Sequence, residues 1–441
     1  MTEGSFDAPK FQIEFVVLSF EGPDQYSLVG GLGVRVTEMT RVMARMGYKT
    51  RLFFVGDPDF DDYEVSEDGR LHYHRWSRWL SKQYPDGVYH GELAKVEDYQ
   101  KSLPEFLVDR VVSDNSQRGI TTVVIGEDWQ TAGTMIRISE LVLEEGLADQ
   151  TILMWNANNI FGFDALDFPE LTRAAQVLTV SRYMKERMRA LKLQSLVVPN
   201  GIPSRYWARV DNKAMLALRE ALPGLLLCKV GRYHPDKRWL MAVEAVAHCK
   251  NMNLEPTLIV RGGKEAHGES VKELAAKLGL TWHTVYKPPD EDESFADLIR
   301  EYGHNDVIEL DYFVPESTLR VMYKASAAVL ANSGHEPFGL VGLEVMACGG
   351  VAVTGSTGEE YLQSFVNGIA LSSDDSRELA LYLRDLSDDP ELSDKLRSQG
   401  RNTAKTFAWE SVVTDLLRKI EVTAWSRDKS LERTNETVTS Q

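Results

Sequence analysis

The chain has 441 residues and carries 66 acidic against 49 basic side chains, a formal net charge of −17. That length suits two domains, each with its own core. The charge argues against broad electrostatic capture of nucleic acid or of an anionic membrane. Cys228, Cys249 and Cys348 are odd in number, sit in apolar or helical runs, and read as reduced core thiols of a cytoplasmic protein. Met1-Thr2-Glu3-Gly4-Ser5 lacks the basic-then-apolar pattern of a leader. No run of about 18 apolar residues occurs, so membrane contact is expected to be peripheral at most.

Taken in order, short apolar strands alternate with loops and helices, the sequence signature of parallel α/β sheets. Strands are predicted at 13–20, 51–55, 122–125, 152–155, 177–180 and 196–198 in the first half. In the second half they fall at 225–230, 258–261, 307–310, 327–330 and 351–354. Helices between them include 36–46, 134–145, 182–191, 239–250, 271–278 and 317–325. Residues 56–91 break the rhythm as an insertion rich in aromatic and charged side chains. Pro199-Asn200-Gly201-Ile202-Pro203 is a dense turn signal and marks the interdomain hinge. From 426 to 441 the composition turns polar and predicts a disordered tail.

In the first βα turn, Val29-Gly30-Gly31-Leu32-Gly33 precedes a helix, so backbone N–H groups can approach a phosphate or a sugar there. A plain tight turn uses the same glycines. Val36 stands where a dinucleotide fingerprint needs its third glycine, which argues against dehydrogenase chemistry. Glu127-Asp128-Trp129-Gln130-Thr131-Ala132 ends another strand, and a polar helix cap accounts for Asp128 and Thr131. Trp155-Asn156-Ala157-Asn158-Asn159 offers three amides and an indole, a platform for hydroxyl groups, although asparagine also favours turns. The insertion holds Leu71-His72-Tyr73-His74-Arg75-Trp76-Ser77-Arg78-Trp79. Aromatic faces stack on the C–H faces of sugar rings, which makes Trp76 and Trp79 candidates for acceptor contact. His72-x-His74 lacks a third ligand at a persuasive spacing, and no metal is expected.

In the second half, Gly231-Arg232-Tyr233-His234-Pro235-Asp236-Lys237 follows a strand and sets two cations at a parallel-sheet edge. Arg232 can fork onto phosphate oxygens and Lys237 adds a point charge, which together suit a departing nucleoside diphosphate. A solvated loop with surface cations is the plainer account. Further on, His335-Glu336-Pro337-Phe338-Gly339-Leu340 leads into the almost wholly apolar run Val341-Gly342-Leu343-Glu344-Val345-Met346-Ala347-Cys348. A helix apolar all round is buried, and a carboxylate in it needs a partner. No lysine or arginine stands three or four residues from Glu344, so that partner is a distant segment or a ligand. The N–H groups of Phe338, Gly339 and Leu340 at the helix start form an anion site between Glu336 and Glu344. Phosphate in the middle with hydroxyls at both ends describes a nucleotide sugar.

Together these residues resemble the retaining glycosyltransferases of family 4, with the GT-B fold shared with glycogen and starch synthases. The resemblance runs from Gly30-Gly31 to Phe407-Ala408-Trp409-Glu410. It is most specific in the pair Glu336 and Glu344, with seven residues between, and it also covers Val198-Pro199-Asn200-Gly201-Ile202 and Val230-Gly231-Arg232 through Lys237. It implies an α/β GT-B chain: two Rossmann-like domains with parallel sheets facing across a cleft. The domains implied are an acceptor domain at 1–203 carrying the insertion at 56–91, a nucleotide-sugar domain at 204–406, and a helix at 407–425 crossing back to the first.

By the same resemblance Glu344 holds ribose hydroxyls, Glu336 the transferred sugar, Arg232 and Lys237 the diphosphate, and Gly31, with Gly33, closes over it. Phe313 in Asp311-Tyr312-Phe313-Val314-Pro315 lies near the nucleobase. Glu127 to Ala132 is similar to the glycogen-synthase side of the clan. Asn158 stands where many relatives have a histidine, which puts acid–base chemistry there in doubt and leaves hydrogen bonding to the sugar or acceptor.

The implied activity is hexosyl transfer from UDP-glucose or a similar nucleotide sugar to a hydroxyl of a carbohydrate, lipid or small molecule, without cofactor or metal and without nucleic acid. The alternatives are a nucleotide-sugar epimerase on the same fold and a non-catalytic sugar-binding protein.

Overall fold

The computed structural model describes residues 11–429, 431–432 and 434, so most of the expected tail lies outside the described residues. The chain divides into two compact units, Met1–Gly201 with Trp409–Gln441, and Ile202–Ala408.

The first unit is built on β1 (Ile13–Leu18), β2 (Thr50–Val55), β3 (Tyr63–Ser66), β4 (Leu71–Trp76), β5 (Thr121–Glu127), β6 (Thr151–Ala157), β7 (Gln176–Thr179) and β8 (Leu196–Val197). They form one sheet in the order β3-β4-β2-β1-β5-β6-β7-β8, parallel except for β3 against β4. Every residue of β1, β5 and β6 is buried, as expected for parallel strands covered on both faces. These are the runs that the sequence shows most plainly.

The stretch expected as an irregular insertion instead adds two strands to the sheet. β4 pairs with β2 from Thr50↔Leu71 to Val55↔Trp76. Its Leu71, Tyr73 and Arg75 are buried while His72, His74 and Trp76 are half-buried. The period is that of a strand, but imidazole, guanidinium and indole groups stand where aliphatic side chains usually advertise one.

The last helix, Trp409–Ser426, belongs to the first unit, where Val412, Val413, Leu416 and Ile420 join its core and pack near the helix Gly31–Arg45. A Cβ on Gly201 would fall 2.4 Å from the Trp409 ring, so the mid-chain turn needs glycine at that point. Ile202 N–H donates to the Phe407 carbonyl at 2.8 Å, setting the two chain crossings side by side.

The second unit has β9 (Leu225–Val230), β10 (Pro256–Arg261), β11 (Trp282–Val285), β12 (Val307–Leu310), β13 (Ala328–Ala331), β14 (Ala352–Thr354) and β15 (Ile369–Ala370). Their order is β11-β12-β10-β9-β13-β14-β15, all parallel. β11 and β15 went unpredicted because they are short, and β11 is only half-buried over most of its length. The three cysteines are buried free thiols. Among the described residues no helix is long and apolar enough to cross a membrane.

In both sheets the chain reverses its direction of growth beside the first strand, at β1/β5 and at β9/β13. Ligands of open α/β sheets bind at the carboxyl ends of the strands flanking such a switch point.

Candidate active site

At the second unit's switch point the loop after β9 meets the loop after β13. Gly231 takes φ 149, a conformation that favours glycine, and turns the chain out of β9. Lys237 Nζ is paired with Glu336 Oε1, and both side chains line one pocket with Gly339 and the buried Lys229. Arg232 is exposed, and its carbonyl is fixed by Trp239 Nε1 at 2.7 Å. Its guanidinium makes no hydrogen bond or ion pair among the described residues. Gly339 at φ 75 ends the β13 loop, and the helix Leu340–Cys348 begins directly after it. The N–H groups of Phe338, Gly339 and Leu340 donate to nothing among the described residues, as an anion site at a helix start requires.

Glu344 does have a distant partner. It lies half-buried in a helix whose other residues from Gly342 to Cys348 are buried, and the nearby Tyr206 hydroxyl favours its charged form. Burial pushes that carboxyl up to about 7, the Tyr206 bond and Arg205 oppose the rise, and Glu316 adds to it. Phe313 is 81 % exposed on the loop after β12.

Several contributors went unseen in the sequence. Lys229, on β9, is fully enclosed: its Nζ donates to the Leu330 carbonyl at 3.1 Å and to Asn332 Oδ1 at 2.5 Å. Burial, with the Lys237 charge beside it, lowers its pKa to about 7. Its type and its place inside an apolar strand were the available signal. Tyr361 donates to the Gly339 carbonyl at 2.5 Å and feels both Glu336 and Glu344. No local pattern marks it, because its contacts come from the β13 loop.

The first unit departs further from expectation. Glu21 Oε2 accepts from the N–H groups of Gly30 and Gly33, each at 2.9 Å, and of Val29 at 3.3 Å. Its other oxygen accepts from the Tyr89 hydroxyl at 2.5 Å. The amide of Gly33, expected to face a donor phosphate, is therefore occupied by the protein's own carboxylate. Gly31 keeps an exposed backbone at the start of its helix.

The amide platform is likewise committed. Glu127 accepts from Arg35 Nε at 3.2 Å on both oxygens, from Asn156 Nδ2 at 2.8 Å and from Asn158 Nδ2 at 2.7 Å. Asn158 thus reaches any sugar or acceptor only through its remaining surface. Asp128 makes no side-chain cap bond. It holds φ 68, an uncommon conformation outside glycine. It accepts from Asn159 Nδ2 at 2.6 Å, while its Oδ1 has no partner among the described residues. Burial, and then the neighbouring Glu127, push its carboxyl up to about 8. The helix-cap reading of Asp128 fails, and strain with a raised pKa takes its place.

Of the two tryptophans, Trp76 packs against Phe53 and Phe106 and donates its N–H to Ser102 Oγ at 2.7 Å. That packing accounts for Trp76 without a ligand. Trp79, in the helix Arg78–Gln83, is 56 % exposed. His74 stacks on Phe53, and among the described residues no group of three or more His, Cys, Asp or Glu is placed to hold a metal ion.

Residues 217–403 match the family described as glycosyl transferases group 1. The D-inositol 3-phosphate glycosyltransferase of Thermobispora bispora is 27 % identical over 316 residues, 70 % of this chain and 66 % of that relative. The chain spans less than two thirds of the length of the curated relatives it matches first. Sucrose-phosphate synthase from Thermosynechococcus elongatus superposes with a TM-score of 0.62 at 17 % identity, covering 93 % of this chain and 99 % of that one. The catalytic domain of starch synthase IV from Arabidopsis thaliana, bound to ADP and acarbose, gives 0.65 at 15 % identity, covering 94 % and 99 %. The chain has the GT-B fold, and the segment that matches the glycosyl transferases group 1 family, residues 217–403, fills nearly all of the second unit.

Proposed function

We propose that the protein is a glycosyltransferase that moves a hexose from a nucleotide-sugar donor, UDP-glucose or a close analogue, to an acceptor hydroxyl with retained configuration. The observation that carries this reading is the pairing of Lys237 with Glu336 in one pocket, beside the undonated amides of Phe338 to Leu340. Cation and amides together stabilise the charge that develops on a leaving diphosphate, and Arg232 adds a fork for its oxygens. Glu336 then holds the sugar hydroxyls and Glu344 the ribose hydroxyls. The relative named for D-inositol 3-phosphate makes a small phosphorylated polyol the first acceptor to try.

Incubation with labelled nucleotide sugars, with and without acceptors, tests the assignment. A new glycoside of unchanged anomeric configuration is expected. An epimerised donor, or binding with no turnover, would replace the assignment with one of the two alternatives.

Transfer is expected to persist in excess chelator, because the cations and amides already do the work of a metal at the diphosphate. Activity restored only by magnesium or manganese would sink that part of the proposal.

The raised pKa of Glu344 gives a pH dependence. If only the carboxylate accepts from ribose, binding below about pH 7 first requires loss of a proton, which costs about 1.4 kcal/mol per pH unit. Nucleoside (not nucleotide) affinity should fall about tenfold between pH 6 and pH 5, and Glu344→Gln should flatten the profile. An unchanged slope in that variant would exclude the role.

The raised pKa of Asp128 bears on stability, because folded Asp128 keeps its proton where the unfolded residue has lost it. Its contribution is therefore present at pH 4 and declines as pH rises toward about 8.

A further inference from the structure

A groove of about 800 Å³ opens in the first unit at the N-terminal ends of β7 and β8. This is the sheet edge opposite the one that carries Glu21, Asp128 and Asn158. Lys185, Arg189, Lys192 and Arg427 line it, against one carboxylate, Glu186, which lies 3.7 Å from Arg189. Two of the cations come from the helix Arg182–Ala190 and one from the turn after it, while Arg427 follows the last helix. A cation near a helix C-terminus complements the helix dipole, and that alone explains Arg189.

It does not explain why separate segments bring four cations to one concavity in a chain of charge −17. Nor does it explain Ser195. That residue is 5 % exposed and lines the same groove, and its hydroxyl has no hydrogen-bond partner among the described residues. A buried polar group is normally satisfied, so a hydroxyl left over beneath several cations is suited to an oxyanion. The volume falls in the range of small-molecule sites, and the concave shape suits a compact ligand better than a flat membrane.

We propose that this groove binds a small, multiply phosphorylated anion, at a site separate from the donor pocket and assigned to no other role. Phosphate oxygens would accept from Arg189 and Arg427, Lys185 and Lys192 would supply point charges, and Ser195 would close the shell from below. Its position on the far sheet edge makes it independent of the reaction proposed above.

The probe is inorganic tripolyphosphate, measured by titration calorimetry on the full chain carrying Arg232→Ala and Lys237→Ala, so that the donor pocket is disabled. One site is expected, with affinity falling as salt rises. Adding Arg189→Gln and Lys192→Gln, both on the surface, should weaken it at least tenfold with the circular dichroism spectrum unchanged. Ser195→Ala, which removes only the hydroxyl, should weaken it severalfold. Those same groove changes, in the chain with an intact donor pocket, should leave nucleoside diphosphate affinity unaltered.

No tripolyphosphate binding in the donor-disabled protein would overturn the proposal, as would binding indifferent to the glutamine pair. Groove-dependent capture on phosphatidylglycerol vesicles without tripolyphosphate binding would replace it with a membrane surface. If the glutamine pair disturbs the fold, Ser195→Ala and competition by increasing salt still decide the outcome.

Discussion

Glu127→Ala is expected to lower stability by about 3–5 kcal/mol, the cost of stripping one partner from a buried charge. The side chains of Arg35 and Glu127 are 1 % and 0 % exposed, and Glu127 also receives Asn156 and Asn158. Arg35 extends from the same contact to Asn200 Oδ1 at 2.8 Å and to the Pro199 carbonyl at 3.3 Å. One guanidinium therefore ties the first helix, the end of β5 and the segment before Gly201. Removing Glu127 leaves that guanidinium charged, buried and without its anion. Removing both charges is a different perturbation: Arg35→Met with Glu127→Leu should recover much of the loss, because no unpaired ion remains. Urea titrations followed by tryptophan fluorescence check both statements. A single variant within about 1 kcal/mol of wild type would show that water reaches the pair.

What could be seen in the sequence follows from how local each signal is. β1, β5 and β6 each hold a run of apolar residues at their centre, and they lie within three residues of their predicted ends. The pairing of Lys237 with Glu336 in one pocket of the second unit involves two residues the sequence singled out, each in a loop whose neighbours along the chain define its setting. β4 was hidden because its alternation is written in histidine, arginine and tryptophan. Glu21 was invisible for another reason. A carboxylate nine residues before Gly30 has no periodic relation to it, yet the turn folds it back onto the amides. The three asparagines were seen, but not that Glu127 and Asp128 would take up an amide from each. A single sequence shows donors and acceptors without showing which of them find each other.

Glu336→Ala is expected to separate affinity from turnover. Lys237 is held by Glu336, so a diphosphate must compete with that carboxylate for the ammonium. Deleting Glu336 frees the lysine, and nucleoside diphosphate affinity should hold or rise. Turnover should nonetheless fall about 10²–10³-fold, the usual loss when a group aimed at the reacting centre is removed, because nothing then holds the sugar as its bond breaks. Lys237→Ala should lose on both counts: the leaving diphosphate lacks a cation, and Glu336 is left without its partner in a half-buried pocket. Glu344→Ala should do the reverse of Glu336→Ala, weakening the nucleoside diphosphate by about 1.5–3 kcal/mol through the lost charged acceptor. Its turnover at saturating donor should stay near wild type, since ribose takes no part in bond breaking. Calorimetry with the nucleoside diphosphate, set beside kcat at saturating donor, distinguishes all three variants. Tighter binding with lost turnover in Glu336→Ala would fix the carboxylate on the sugar side of the diphosphate. A parallel loss of affinity in Glu336→Ala and Glu344→Ala would instead put both carboxylates on the nucleotide, and the sugar contact would have to be sought on other residues.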